Sequence, residues 1–364
     1  MKILTKNCLI LATSPYFGNS RFNAAINNNI DLDDLINNPL HYQKQLSIRK
    51  ETLDYLVEKR YLTYLEEVNK WLSSPQHSLI TYLDKKYPFE LKQIPNPPIV
   101  LYCLGNTDLL DTYQLAIVGA RNHTSYGKNV TEKIIRELAC YNITITSGLA
   151  YGIDTLAHRY ALENDLKTIA VIGTGIDIIY PRSNITLHQN ILSNQGLIIS
   201  EFSLGTEPLR HNFPQRNRII SALSKGVLVI EAAQKSGSLI TAELALEQNK
   251  EIFAIPGNIF NASSNGCNEL IKQGAKLVNN ASDILEELNI NDNFEISNTS
   301  ESAIEISDEQ KAVLNSINNC LTTIDQIINN TCLPYHKISE ILFELEMKSF
   351  VETVPGGYTR RQLS

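Results

Sequence analysis

The sequence predicts an α/β protein: a parallel sheet with helices on both faces, preceded by a helical region and followed by a small winged-helix domain. Three observations carry this. Between residues 115 and 255 six short apolar runs recur, with helical patterns between most of them. Glycine stands where several of these runs stop, as a strand-to-helix turn requires. Beyond residue 307, three helix patterns lead into two short strand patterns around Pro355, Gly356 and Gly357. That is the order of a winged helix-turn-helix.

Residues 1–78 read as a helical domain. Leu53, Leu56, Val57, Tyr61, Tyr64, Leu65, Val68 and Leu72 fall near one stripe of a helix over 53–72, whereas the Asn and Asp crowded into 27–38 suggest a loop. From 79 to 105 a short strand, a short helix and a second strand alternate with proline-rich turns. The core strands are expected at 115–119, 143–147, 168–172, 196–200, 226–231 and 251–255, and the helices at 125–140, 153–164, 184–194, 214–224 and 238–249. Alternation at this spacing implies a parallel sheet, and right-handed crossovers then set every strand C-terminus along one edge. The core domain spans 79–288 and closes with a short helix at 281–288. A polar, acidic linker covers 289–306. Helices at 308–317, 323–331 and 334–349 and a hairpin complete the winged-helix-like domain, 307–364.

At 364 residues the chain has room for two or three domains. Its net charge of −7 is unevenly spread. Residues 1–113 are neutral, 114–278 carry +2 and 279–364 carry −9, so the motif-bearing core is slightly basic. No apolar run approaches the roughly 20 residues that span a bilayer. Lys6 and Asn7 interrupt a short N-terminal apolar run that otherwise imitates a signal peptide, and a cytoplasmic protein without a membrane segment is expected. The six cysteines show no C-x-x-C spacing, which argues against zinc and a disulfide framework and leaves them as buried or idle thiols.

Four motifs punctuate the core: AIVGARNHTSYG (116–127), SGLAYGIDTLAH (147–158), IGTGIDIIYP (172–181) and FPQRNRIISALS (213–224). In the first, Gly119 ends a strand and Arg121 follows. Arg121 and the backbone N–H groups from Asn122 to Ser125 suit a phosphate, with Thr124 or Ser125 capping the next helix. Gly148, Gly173 and Gly175 lie on the same edge. Asp154 and His158 read as structural, a first-turn acid and a packing histidine. The stretch 208–218 is the densest basic and aromatic cluster in the chain. Phe213 stands at a helix mouth where it can stack on a base, and Pro214 fits the first helical turn. Arg216 and Arg218 lie two residues apart and point about 200° away from each other on a helix, so one is an internal clamp. Ser236, Gly237 and Ser238 suit a phosphate and equally suit a plain N-cap. Phosphate grips, arginines and a stacking face point to a polyanion with bases. No catalytic constellation accompanies them.

These residues, in this order, resemble the DNA processing protein A (DprA/Smf) family, with its G-S/A-R, S-G-x-A-x-G-I-D, G-x-G-x-x-x-x-Y-P and F-P-x-R-N-R signatures. EAAQKSGSLITA (231–242), AIPG (254–257) and NELIKQGAKLV (268–278) continue the match, as do segments within 88–106 and the winged-helix-like tail. Residues 1–75 match only as a helical region. Asn249-Lys250 stands where many members have Gly-Arg, a departure confined to a turn.

The resemblance implies an extended Rossmann-like fold that binds single-stranded DNA without sequence preference. It further implies that the protein protects incoming strands in natural transformation, loads the RecA recombinase, acts as a homodimer and needs no cofactor or metal. Family residues lining the DNA pocket map to Arg121, Arg210 and Phe213. The dimer contact is expected on the helix 267–274 through Leu270 and Ile271, with the alternative that both pack inward.

Two rivals stand beside this reading. Nucleotide phosphoribohydrolases of the same superfamily hold a catalytic glutamate where this chain has Thr241, and without a carboxylate the general acid/base is missing. A duplex-DNA regulator would use the tail, but its third helix sets Lys337 and His336 against Glu340, Glu344 and Glu346, which repel phosphates.

Overall fold

The computed structural model describes residues 2–290, 307–317, 322–331, 333–347, 350–354 and 356–360. It divides into two compact units, Met1–Ile135 with Ile143–Asn289, and Arg136–Asn142 with Ile290–Ser364.

The first unit begins with α1 (Ile3–Thr13), α2 (Gly18–Asn27), α3 (Leu32–Asn37), α4 (Lys50–Val57) and α5 (Tyr61–Trp71). Two expectations are corrected here. The Asn- and Asp-rich run is not all loop: Asp31 caps α3 by accepting from the Asp33 N–H at 2.9 Å, and Asp33 and Asp34 sit in its first turn, where the helix dipole favours acids. The stripe over 53–72 belongs to two helices, because Lys59 adopts a φ of 55° and ends the first. Most of its apolar residues still share one core, with Leu53, Leu56, Tyr61, Leu65 and Val68 all buried in the same cluster, but Val57 points outward and is 55 % exposed.

Then come β1 (His77–Thr81), α6 (Phe89–Lys92), β2 (Val100–Gly105), β3 (Gln114–Val118), α7 (Ser125–Leu138), β4 (Thr144–Ser147), α8 (Ile153–Glu163), β5 (Thr168–Val171), α9 (Ile185–Ser193) and β6 (Leu197–Ser200). The unit closes with α10 (Asn212–Leu223), β7 (Gly226–Val229), α11 (Gly237–Glu247), β8 (Glu251–Ala254), α12 (Asn265–Lys272), β9 (Lys276–Leu277) and α13 (Ala281–Glu287). All nine strands form one sheet, ordered β1-β2-β6-β5-β4-β3-β7-β8-β9. From β6 to β9 every pair is parallel, and only β2 against β6 and β1 against β2 are antiparallel. Every residue of β3, β4, β5, β6 and β7 is buried, which is why most of these strands read as apolar runs rather than alternating ones. The exception is β4, Thr-Ile-Thr-Ser, which buries hydroxyls that are hydrogen-bonded to Thr112, Gln114 and the Ile117 carbonyl. Truncating a central side chain such as Leu228 to Ala costs about 2–5 kcal/mol. The chain lays down β3 to β6 on one side and returns with β7 on the other, so the strand order reverses between β3 and β7. A crevice at the C-terminal ends of the strands opens at such a reversal.

Asn249 holds a φ of 54° between α11 and β8, so this turn uses the left-handed backbone that Asn tolerates in place of Gly. Cys8, Cys103 and Cys267 are free and buried, and burial pushes each thiol up to about 12. Cys140 is disulfide-bonded, which corrects the expectation of six idle thiols: spacing along the chain does not report neighbours across it.

The second unit contains α14 (Asp308–Asn315), α15 (Ile324–Thr331), α16 (Tyr335–Met347) and the antiparallel pair β10 (Val351–Val354) and β11 (Gly357–Arg360). Ser307 and Gln310 form a capping box on α14. Ile338, Ile341, Leu342 and Leu345 turn one face of α16 into a core with Val313, Leu314, Ile317, Ile327 and Val351. Three helices and a hairpin make this a winged helix. Pro355, expected within the hairpin turn, lies outside the described residues, as does most of the linker. Among the described residues no helix is long and apolar enough to cross a membrane.

Candidate nucleic-acid interface

Arg121 leaves β3 on a backbone supported from beneath. Gly152 takes a φ of 80°, and a Cβ there would come within 2.1 Å of the Ala120 carbonyl oxygen and 2.4 Å of the Arg121 carbonyl oxygen. Only glycine lets the turn between β4 and α8 pass this close. The Ile153 N–H then donates to the Ala120 carbonyl at 3.1 Å. Held in this way, the exposed Arg121 side chain places its guanidinium carbon 5.8 Å from the Phe213 ring centroid. Phe213, in the first turn of α10, is half-buried over Gly173, where a Cβ would come within 2.9 Å of the ring. Tyr180 leans on the same ring, centroid to centroid 5.6 Å. Arg210 is exposed on the segment entering α10, and neither it nor Arg121 forms an ion pair among the described residues. The mouth therefore offers an aromatic face and two unpaired cations.

Arg216 and Arg218 do otherwise. Arg216 is 4 % exposed and donates to the Gly148 carbonyl at 2.6 Å and to the Val171 carbonyl, tying the ends of β4 and β5 together. Burial pushes its guanidinium down to about 10, with the neighbouring Asp154 opposing that shift. Arg218 pairs with Glu201 just past β6. Burial raises the Glu201 carboxyl above its ordinary value, and Arg218 opposes it. Both arginines are thus internal clamps. The expectation that one of them is a clamp extends to both, because Arg218 meets an acid 17 residues upstream, where helix spacing cannot reveal it.

The glycines have internal reasons as well. A Cβ at Gly119 would strike Ile153 at 2.7 Å, one at Gly148 the Arg216 guanidinium at 2.6 Å, and one at Gly175 the Ser203 carbonyl at 2.6 Å. They make room for the protein's own atoms. Asp154 accepts from the Gly148 N–H at 3.2 Å, and burial raises its carboxyl despite Arg216. His158 is buried, accepts from the Leu149 N–H at 3.3 Å and so donates through Nδ1 to Thr168 Oγ1 at 2.7 Å. Burial holds it down at about 3.

Of the N–H groups from Asn122 to Ser125, that of Thr124 is already taken from within the protein. Thr124 caps α7, its Oγ1 accepting from the Gly127 N–H at 3.2 Å. The same hydroxyl donates to Glu231 Oε1 at 2.6 Å, and the Thr124 N–H donates to Glu231 Oε2 at 2.9 Å. A carboxyl from the end of β7 already occupies the helix N-terminus. Asn122 and Ser125 remain exposed at the rim. Ser236 caps α11 by accepting from the Ser238 N–H at 3.3 Å, with the two hydroxyls 2.7 Å apart, while exposed Gly237 has nothing within 4 Å of a Cβ.

Residues 78–289 match the family model of DNA recombination-mediator protein A, and residues 297–357 match the DprA winged helix domain. The chain belongs to the DNA recombination-mediator protein A family. It is 40 % identical over 312 residues to Protein Smf of Escherichia coli (strain K12), covering 83 % of each chain. To the DNA processing protein DprA of Streptococcus pneumoniae (strain ATCC BAA-255 / R6) it is 48 % identical over 205 residues, 56 % of this chain and 72 % of the relative. The crystal structure of DprA from Streptococcus pneumoniae superposes with a TM-score of 0.66 at 36 % identity, covering 79 % of this chain and 98 % of that one. DprA from Helicobacter pylori, a structure described for its single-stranded DNA binding mode, superposes with a TM-score of 0.52 at 37 % identity, covering 58 % and 95 %.

Within this DprA-family core, Leu270 and Ile271 on α12 are half-buried against the sheet cluster, neither fully inside nor free. Sequence reasoning missed three members of the site region. None of Tyr180, Glu201 and Glu231 was placed in the site from the sequence. The available signal was an acid immediately after an apolar strand run, at ISE (199–201) and VIE (229–231).

Proposed function

We propose that this chain binds single-stranded DNA without sequence preference, protects it, and passes it to a RecA-type recombinase in transformation or recombination. The observation that carries the reading is the Arg121–Phe213 pair, an exposed cation over a half-buried ring, with exposed Arg210 three residues before the ring in sequence. A ring of this kind stacks on any base and contributes about 1–3 kcal/mol per base, while unpaired arginines meet phosphates without reading sequence. The likeness to a pneumococcal DNA processing protein, and to the Helicobacter pylori DprA whose structure describes a single-stranded DNA binding mode, supports the same reading.

No catalysis is part of it. Thr241 is buried in α11, and both oxygens of Glu231 are engaged by Thr124. The protein acts in the cytoplasm as a homodimer joined through α12. Ile259 and Phe260, on the loop leading into α12, are 74 % and 92 % exposed and offer further apolar surface. The test is direct competition between single- and double-stranded oligonucleotides of mixed sequence. Single strands should win, and equal affinity would overturn the reading.

A further inference from the structure

Glu231 follows β7 at the point where the strand order reverses, the place at which open α/β sheets present a helix N-terminus to a ligand. Here the position is filled from within. Glu231 is 1 % exposed and has no lysine or arginine partner among the described residues. Burying a carboxyl in this way is costly unless donors meet it, and the Thr124 N–H, the Thr124 hydroxyl, the Ser263 hydroxyl at 3.5 Å and the positive end of α7 do so. The surroundings are shaped to it. A Cβ at Gly127 would lie 2.4 Å from Glu231 Oε2, so the third residue of α7 must be glycine for the carboxyl to fit.

The segment from Gly119 to Thr124 has two anchors. Its start is fixed by β3 and by the contact of Gly152 and Ile153 with Ala120. Its end is fixed where Thr124 meets Glu231. Arg121 lies between them, and its placement over Phe213 depends on both.

We propose that Glu231 is a positioning residue: by clamping Thr124 it holds the Arg121 loop in the conformation that sets the guanidinium over Phe213. The inference rests on the reading of Arg121 and Phe213 as a single-strand binding mouth. A plain helix cap would contribute stability and nothing more, so the test separates the two.

Hydrogen exchange on the full-length protein without DNA, comparing wild type with Glu231→Ala, should show about tenfold faster exchange confined to amides 121–127, with β3 and β4 unchanged. Single-strand affinity is then measured for Arg121→Ala, Glu231→Ala and the double variant. Glu231→Ala should lose most of what Arg121→Ala loses, and the double variant should be no weaker than Arg121→Ala alone, because both remove one contact. Glu231→Gln, which keeps the shape and one acceptor, should restore most of the affinity. Losses that multiply in the double variant, unchanged exchange at 121–127, or exchange that rises equally through the strands would each overturn the proposal. Should Glu231→Ala not fold, Thr124→Val deletes the hydroxyl on the other side of the same contact and decides the matter by the same readouts. If the wild type binds no single strands, the functional reading fails, and the exchange experiment still decides whether Glu231 holds the loop.

Discussion

The guanidinium of Arg121 lies 5.8 Å from the ring centroid of Phe213, a cation from the exit of β3 set over an aromatic from the entrance of α10. The two residues are far apart in sequence and meet because Gly152 lets one backbone settle and Gly173 leaves space for the other ring. An exposed cation–π contact of this kind contributes only about 0.5–1 kcal/mol. Its value is preorganisation, since the charge and the stacking face are in place before a strand arrives.

The two halves of this pair should fail differently. Arg121→Ala should weaken single-strand binding and flatten the log–log salt dependence by about 0.7, the share of one phosphate contact. Phe213→Ala should weaken binding by about 1–3 kcal/mol with little change in slope, because stacking releases no counterions. Titrations at several salt concentrations distinguish them, and equal slope changes would refute the division of labour.

The winged helix should be dispensable for DNA binding. A chain ending at about residue 290 sheds a segment of net charge −6, so single-strand affinity should stay the same or tighten slightly. A large loss would show that the tail contacts DNA.

Charging α12 should separate the protomers. Ile271 is half-buried, so Ile271→Glu should fold with some loss of stability, sediment as a monomer, and bind single strands more weakly because two linked mouths become one. The monomers should also load RecA poorly. A wild-type monomer at micromolar concentration would count against the dimer, and an unfolded variant would place Ile271 in the core.

Stability should fall on mild acidification. His158 titrates at about 3 when folded, against an ordinary value of 6.5. Between those values the unfolded chain takes up a proton that the folded chain refuses. Its contribution to stability is complete above pH 6.5 and is lost as pH falls, by about 2 kcal/mol at pH 5. His188, also lowered by burial, acts with the same sign. Asp154 and Glu201 act with the opposite sign, because burial raises them and the folded state keeps protons that the unfolded state has released. Denaturant midpoints at pH 7 and pH 5 for wild type and His158→Gln isolate the histidine: the variant should show the smaller drop, and an equal drop would contradict it.

Purified protein should hydrolyse no nucleoside monophosphate and cut no DNA with added metal. Among the described residues no group of three or more His, Cys, Asp or Glu is placed to hold a metal ion. Turnover abolished by Glu231→Gln or Glu243→Gln would overturn this.

The sheet was legible because β3 and β5 to β7 are short, largely apolar runs closed by turns, and burial on both faces imposes that pattern on a strand in the middle of such a sheet. Arg121 and Phe213 were legible for a related reason: a cation and an aromatic beside glycines at strand ends can be placed on one edge by topology alone. Charges that pair across the chain were not legible. Arg218 looked free because Glu201 sits on another strand's exit, and the α7 N-terminus looked like a phosphate grip because Glu231 comes from β7. Local composition decides which segments become strands and helices, since propensity and periodicity are properties of neighbours in sequence. Which charged groups remain open to a ligand is decided only when the strand order brings β7 beside β3, because Coulomb and hydrogen-bond partners are neighbours in space.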